Sequence, residues 1–183
     1  MSSRQHDVDL AQTGSQDIAA RRGTVIDPDA MAVIISGCEK SLRETGIIGA
    51  LRFLNQRTRY RYTGLYHVEP PLLRNVQLFD RENPTLNVSG EVKSLHDTYC
   101  GIVRDTNSML LITDALEDAH LAAHPAREAV LSYCGVPIRT DTGMPSGTLC
   151  HFDVRPRLLS ALESQIFQGA APLFARCLGN LSS

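Results

Sequence analysis

No two of the five cysteines, Cys38, Cys100, Cys134, Cys150 and Cys177, stand in a CxxC pair. That excludes a zinc knuckle and a thioredoxin-type centre. An odd number of dispersed thiols fits buried cysteines in a reducing compartment. No stretch approaches the roughly 20 apolar residues that a membrane span needs. The opening MSSRQHDVDLAQTGSQD has no apolar core, so it does not read as a signal peptide. A cytoplasmic location is expected. An excess of positive charge is missing too: the net charge is −2, which argues against a nucleic-acid or membrane partner. Lysine is scarce, with only Lys40 and Lys93 among 18 basic residues. That bias can reflect genome composition and carries no functional reading. Internal repeats and low-complexity tracts are absent.

What is present is ordinary for a globular protein. With 183 residues and 43% hydrophobic content, the chain is long enough for one well-buried core. Residues 1–24 are polar and predict a disordered or weakly ordered tail, with a single domain over 25–183. Asp27-Pro28 is a helix-start signal. Met31, Ile34, Ile35, Cys38 and Leu42, then Ile47, Ile48, Leu51 and Leu54, recur at helical spacing on either side of Gly46. This predicts two helices, or one bent helix ending near Arg57. Alternating tyrosines predict a strand over about 59–68, and Pro70-Pro71 turns the chain into a second strand over 72–81. A short helix around Leu95–Val103, a strand over 109–113 and a short helix over 117–123 follow. A hairpin is expected over about 131–140 and 146–154, turned at Asp141-Thr142-Gly143. The last helix, about 158–178, carries Leu159, Leu162, Ile166, Leu173 and Cys177 as its stripe, with a kink at Pro172. Hairpins at both ends and helices at both termini predict an α+β domain built on an antiparallel sheet.

The segment Ser132-Tyr-Cys-Gly-Val-Pro-Ile-Arg, a short turn, then Gly147-Thr-Leu-Cys-His-Phe-Asp and Arg155-Pro-Arg resembles the hairpin of a GAF domain, the sensor module related to PAS domains. Thr98-Tyr-Cys-Gly-Ile-Val with Leu111-Ile-Thr-Asp-Ala resembles that family's short helix, central strand and terminal aspartate. Phe79-Asp-Arg-Glu-Asn-Pro is similar to a segment of some free-standing bacterial GAF proteins. The resemblance spans about residues 29–178. It implies five or six antiparallel strands, terminal helices on one face, and a roof of loops and short helices, residues 82–130, over a pocket on the other.

Several residues are candidates for chemistry. Cys150 and His151 are adjacent on a strand, so their side chains should face opposite sides and not act as nucleophile and base. Phytochrome-like GAF domains attach a bilin through a cysteine often followed by histidine, but their pair lies in the roof; here Cys150 is expected to pack in the core. His96 and Cys100 share i, i+4 spacing in the roof, which suits a metal or a thiol of lowered pKa, or a structural cysteine lining the pocket. His120 and His124 share that spacing but lack the glutamate of HExxH, so a solvated helix face is expected and no metal site. Tyr62, Tyr66, Phe79, Tyr99 and Tyr133 either line an aromatic pocket for a flat ligand or form plain core. Arg81 and Arg104 suit an anionic ligand. Asp114 could accept hydrogen bonds from a ligand or cap the following helix. Arg52, Arg57, Arg59 and Arg61 read as surface or salt-bridge residues.

These residues predict a GAF-type sensory or regulatory domain without catalysis, whose signal leaves through another chain. The ligand-binding set is Tyr62, Tyr66, Phe79, Arg81, Tyr99, Cys100, Asp114 and Tyr133. No cofactor is identified. A homodimer through the terminal helices is expected, with a small-molecule ligand and a signalling protein as partners. Two alternatives stand. One is a degenerate scaffold acting by protein contact alone. The other is a thiol-dependent reductase, resembling the family branch that reduces free methionine sulfoxide. It would use Cys100 with Cys134 or Cys150, and needs two sulfurs close enough to bridge, with Cα atoms within roughly 7 Å.

Overall fold

The computed structural model describes residues 28–179; the expected N-terminal tail lies outside them. Helix α1 spans Pro28–Gln56 and breaks at Gly46, whose φ of 70° and ψ of −167° lie outside the helical region. Only glycine adopts such a backbone cheaply. The bent helix read from the sequence is thus present. Met31, Ile34, Leu42, Ile47 and Ile48 pack against the core on either side of the bend.

Strands β1 (Tyr62–Glu69), β2 (Leu72–Asp80), β3 (Val92–Ser94), β4 (Leu110–Ile112), β5 (Ser132–Arg139) and β6 (Pro145–Asp153) form one sheet in the order β3-β2-β1-β6-β5-β4. Every neighbouring pair is antiparallel. Helix α2 covers Tyr99–Thr106, α3 Ala161–Ala170 and α4 Ala175–Gly179. Pro172 sits in a 3₁₀ segment, Ala171–Phe174, that separates α3 from α4 and produces the expected kink. The helix expected over 117–123 is reduced to a 3₁₀ turn at Ala119–Leu121. Strand β3 was not anticipated, because its residues are exposed and short of alternation.

The two faces of the sheet carry separate cores. On one face α1, α3 and α4 cover Leu65, Val136, Ile138 and Leu149, with Phe167 and Phe174 contributed from the helical side. Each fully buried leucine or phenylalanine contributes about 2 kcal/mol. Arg57 grips Glu163 through two hydrogen bonds of 3.1 and 2.7 Å, tying the end of α1 to the start of α3. The Ser160 hydroxyl caps α3 by accepting from the Glu163 backbone N–H. The stripe that suggested a dimer faces inward: Ile166 is buried, and Leu159 and Leu162 pack on the same core. On the other face α2 and the 113–130 segment cover Val68, Leu73, Tyr133 and Cys150. Among the described residues, no helix is long and apolar enough to cross a membrane.

One irregularity decides which face several side chains reach. Leu65 pairs with Gln77 but Tyr66 pairs with Asn75, so Val76 is an extra residue on β2. A bulge reverses the alternation beyond it. Leu73 therefore faces α2, whereas Phe79, opposite Thr63, faces α1 and joins the helical core.

Candidate functional site

The face covered by α2 holds a cavity of about 320 Å³. Its sheet floor comes from Tyr66, Leu73, Tyr133, Cys150 and Phe152. Thr98, Tyr99 and Cys100 at the start of α2 form one wall, and Pro125, Ala126, Ala129 and Val130 form another. Lys93 and Asp97 supply its charged groups. The walls are otherwise apolar and aromatic, as in small-molecule sites generally.

The floor follows from strand register. Gly64 and Gly135 lie directly opposite Cys150 on the two neighbouring strands. A Cβ on Gly64 would fall 2.5 Å from the Tyr66 ring, and one on Gly135 would fall 2.2 Å from the Tyr133 hydroxyl. The two glycines thus let both tyrosine rings lie flat over the strands, flanking Cys150. Beside them, Gly101 lets the start of α2 fold tightly against the 3₁₀ turn that precedes it: a Cβ there would stand 2.6 Å from the Leu95 carbonyl oxygen.

Cys100 and Cys150 both line the cavity, near enough that each influences the acidity of the other. The Cys100 sulfur is also 3.3 Å from the Tyr133 hydroxyl. Its polar neighbours, Cys150 first and then the Tyr133 hydroxyl, hold the Cys100 thiol below its ordinary pKa despite burial. Burial drives Cys150 well up, so Cys100 is the more acidic of the two. Tyr133 is likewise pushed well up by burial and keeps its proton. Cys134 faces the helical core, where burial pushes its thiol up to about 12. The Cys100–Cys134 pairing is therefore excluded by register, and Cys100–Cys150 is the pair the fold assembles.

Of the eight residues expected to bind ligand, Tyr66, Tyr99, Cys100 and Tyr133 line this cavity. The other four lie elsewhere. Phe79 is in the helical core because of the β2 bulge, with Arg52 5.5 Å above its ring. Arg81 closes the end of α1: its Nε donates to Asn55 Oδ1 at 2.9 Å, and its Nη2 donates to the Asn55 and Thr58 carbonyls. Asp114 accepts from the Leu116 backbone N–H at 3.0 Å and so holds a turn. Tyr62 stacks on Phe152 at 4.8 Å, half-buried beside the cavity, with Arg61 over its ring. Arg104 pairs with neighbouring Asp105 on the surface.

The histidine spacings also change meaning in three dimensions. His96 belongs to a 3₁₀ turn that ends before α2 begins, so the expected helix face with Cys100 does not form, and His96 is exposed. His124 stacks on Tyr99 at 4.6 Å and does not join His120. No cluster of three metal-ligating side chains exists among the described residues. Residues 82–85 leave the roof altogether: Arg52 donates to the Pro84 carbonyl on the helical side. His151 points away from Cys150, into the helical core, stacked 3.9 Å from Phe167. The Cys-His pair is thus split between two faces, as alternation requires.

No family model matches the chain, and no curated protein sequence matches it. Solved structures do match its fold. The GAF domain from an Acinetobacter phosphoenolpyruvate-protein phosphotransferase superposes with a TM-score of 0.66 at 10% identity, covering 84% of this chain and 95% of that one. A free methionine-R-sulfoxide reductase from Neisseria meningitidis gives 0.63 at 13% identity, covering 86% and 95%. A type II enzyme of that name from Thermoplasma acidophilum gives 0.56 at 17% identity, covering 80% and 96%. The chain therefore has the GAF fold. That fold carries both regulatory domains and reductases, so function rests on the cavity itself.

Proposed function

We propose that this protein is a GAF-type sensory domain whose cavity takes a small, largely apolar or aromatic molecule bearing one polar group, without transforming it. The observation that carries this reading is the Tyr99 side chain. It lines the cavity and is buried, yet its hydroxyl has no hydrogen-bond partner among the described residues. A buried hydroxyl left unpaired costs about 1–3 kcal/mol, a cost that a bound polar group removes. Signal output then passes to a partner protein.

Native mass spectrometry and an absorption spectrum of the purified protein will show a co-purifying molecule. Ala126→Trp, which fills the cavity from its loop wall, will abolish that retention while leaving the circular dichroism spectrum unchanged. Equal retention by wild type and variant would place the molecule elsewhere and refute the reading.

A second reading has its own support. Cys100 and Cys150, lining the same cavity, supply the two thiols that a thiol-dependent methionine sulfoxide reductase needs. Incubation with free methionine sulfoxide and dithiothreitol, with methionine quantified, decides it: turnover lost in Cys100→Ser supports the reductase, and no turnover removes it.

A further inference from the structure

We propose that Cys100 and Cys150 form a peroxide-reactive dithiol site, which an organic hydroperoxide entering the apolar cavity oxidises to a reversible intramolecular disulfide. The site goes beyond the sensory reading and does not depend on it.

The geometry carries the proposal. The two thiols come from elements fifty positions apart, yet both line the same cavity and belong to the same buried cluster, Cys150 on its sheet floor and Cys100 in the wall beside it. Both line open space while being almost wholly shielded from bulk solvent. The Tyr133 hydroxyl stands 3.3 Å from the Cys100 sulfur. Cys38 and Cys134 lie in the helical core, on the opposite side of the sheet, and take no part.

Attack begins at Cys100, whose sulfur lies beside the Tyr133 hydroxyl and whose acidity its polar neighbours raise, whereas Cys150 is held up by burial. The Cys100 sulfur attacks the terminal oxygen of the hydroperoxide. A sulfur–oxygen bond forms, the oxygen–oxygen bond breaks, and the alkoxide leaves. It takes up the proton that Cys100 gives up, and Tyr133 can donate a hydrogen bond to it as it departs. The products are the alcohol and a sulfenic acid on Cys100. The Cys150 sulfur then attacks that sulfenic sulfur, forming the disulfide and releasing water. Overall, one hydroperoxide and two thiols yield one alcohol, one disulfide and one water. Two electrons pass from the sulfurs to the peroxide. A thiol reductant reverses the disulfide.

An apolar cavity favours an apolar peroxide. Relative to its reaction with a free small thiol, cumene hydroperoxide should gain about tenfold over hydrogen peroxide, the worth of burying roughly two methylene groups.

The test uses the full chain, reduced and then treated with cumene hydroperoxide. Denatured thiol titration should fall from five free thiols to three, and non-reducing peptide mass mapping should find the Cys100–Cys150 linkage, lost on adding dithiothreitol. In Cys150→Ser, dimedone should label Cys100. Cys38→Ser should oxidise as wild type does. The circular dichroism spectrum, unchanged in each variant, certifies the fold. The proposal is overturned if folded wild type keeps five thiols, or if linkages scatter over all the cysteines. It is also overturned if free methionine sulfoxide forms the disulfide and the hydroperoxide does not, which favours the reductase. Ligand retention in the cavity is measured separately, so the sensory reading can fail or stand independently.

Discussion

Acidification from pH ~6.5 to pH ~4 will lower the stability of the folded chain by about 3 kcal/mol through His151 alone. The side chain is buried between Phe167, 3.9 Å away ring to ring, and Tyr60, 5.6 Å away. Burial pushes its pKa down to about 3, and the Arg81 charge adds to the effect. The unfolded chain binds a proton near pH 6.5, while the folded chain refuses one until about pH 3. Between those values the unfolded state carries more protons, so stability falls as pH falls and is fully present only above the unfolded value. His124, also lowered by burial, contributes in the same direction. Asp80, held down to about 2 by Arg61, adds its own loss only at lower pH, below its ordinary carboxylate value. Urea unfolding of wild type and His151→Gln at several pH values will isolate the effect. The difference between the two proteins should change by about 3 kcal/mol across the window. Parallel pH profiles would show that His151 is not held neutral.

Asn55→Ala will cost about 3 kcal/mol, because it unpairs several groups at once. Asn55 is wholly buried at the end of α1. Its amide donates to the Tyr60 carbonyl at 3.0 Å and to the Thr63 hydroxyl oxygen at 2.8 Å, and its Oδ1 accepts from Arg81 Nε at 2.9 Å. The Thr63 hydroxyl lies 2.7 Å from His151 Nδ1. Asn55, Thr63 and His151 therefore act as one network joining α1 to β1 and β6. The double variant Asn55→Ala with Thr63→Val should cost less than the sum of the singles. Strict additivity in equilibrium unfolding would show that the network carries no coupling.

This network was not visible in the sequence, since nothing in the spacing of Asn55, Thr63 and His151 links them. The β5–β6 hairpin was: expected over about 131–140 and 146–154, it is found at Ser132–Arg139 and Pro145–Asp153. Its alternation was strong enough to predict that Cys150 and His151 face opposite ways. Phe79 and Arg81 are expected at the cavity from residue type, which does not record a face; the extra residue Val76 sets Phe79 on the helical side, opposite Leu73. A bulge leaves no composition signal that distinguishes it from an ordinary strand. His96 and Cys100 failed for a related reason: a helical spacing means a shared face only if one helix spans both, and here a 3₁₀ turn ends between them.

By itself the sequence determined the longer elements, their order and the antiparallel character of the sheet, but not the short exposed strand β3. Those depend on local periodicity, turn residues and propensity, which act over a few residues. It also settled, through alternation, that the Cys-His pair cannot cooperate. The tertiary structure alone decided that Cys100 meets Cys150 and not Cys134. That choice requires the register of β1, β5 and β6, which turns Cys150 toward α2 and Cys134 toward the helical core. Contacts between distant segments depend on how whole elements stack, and no local pattern records a stacking distance.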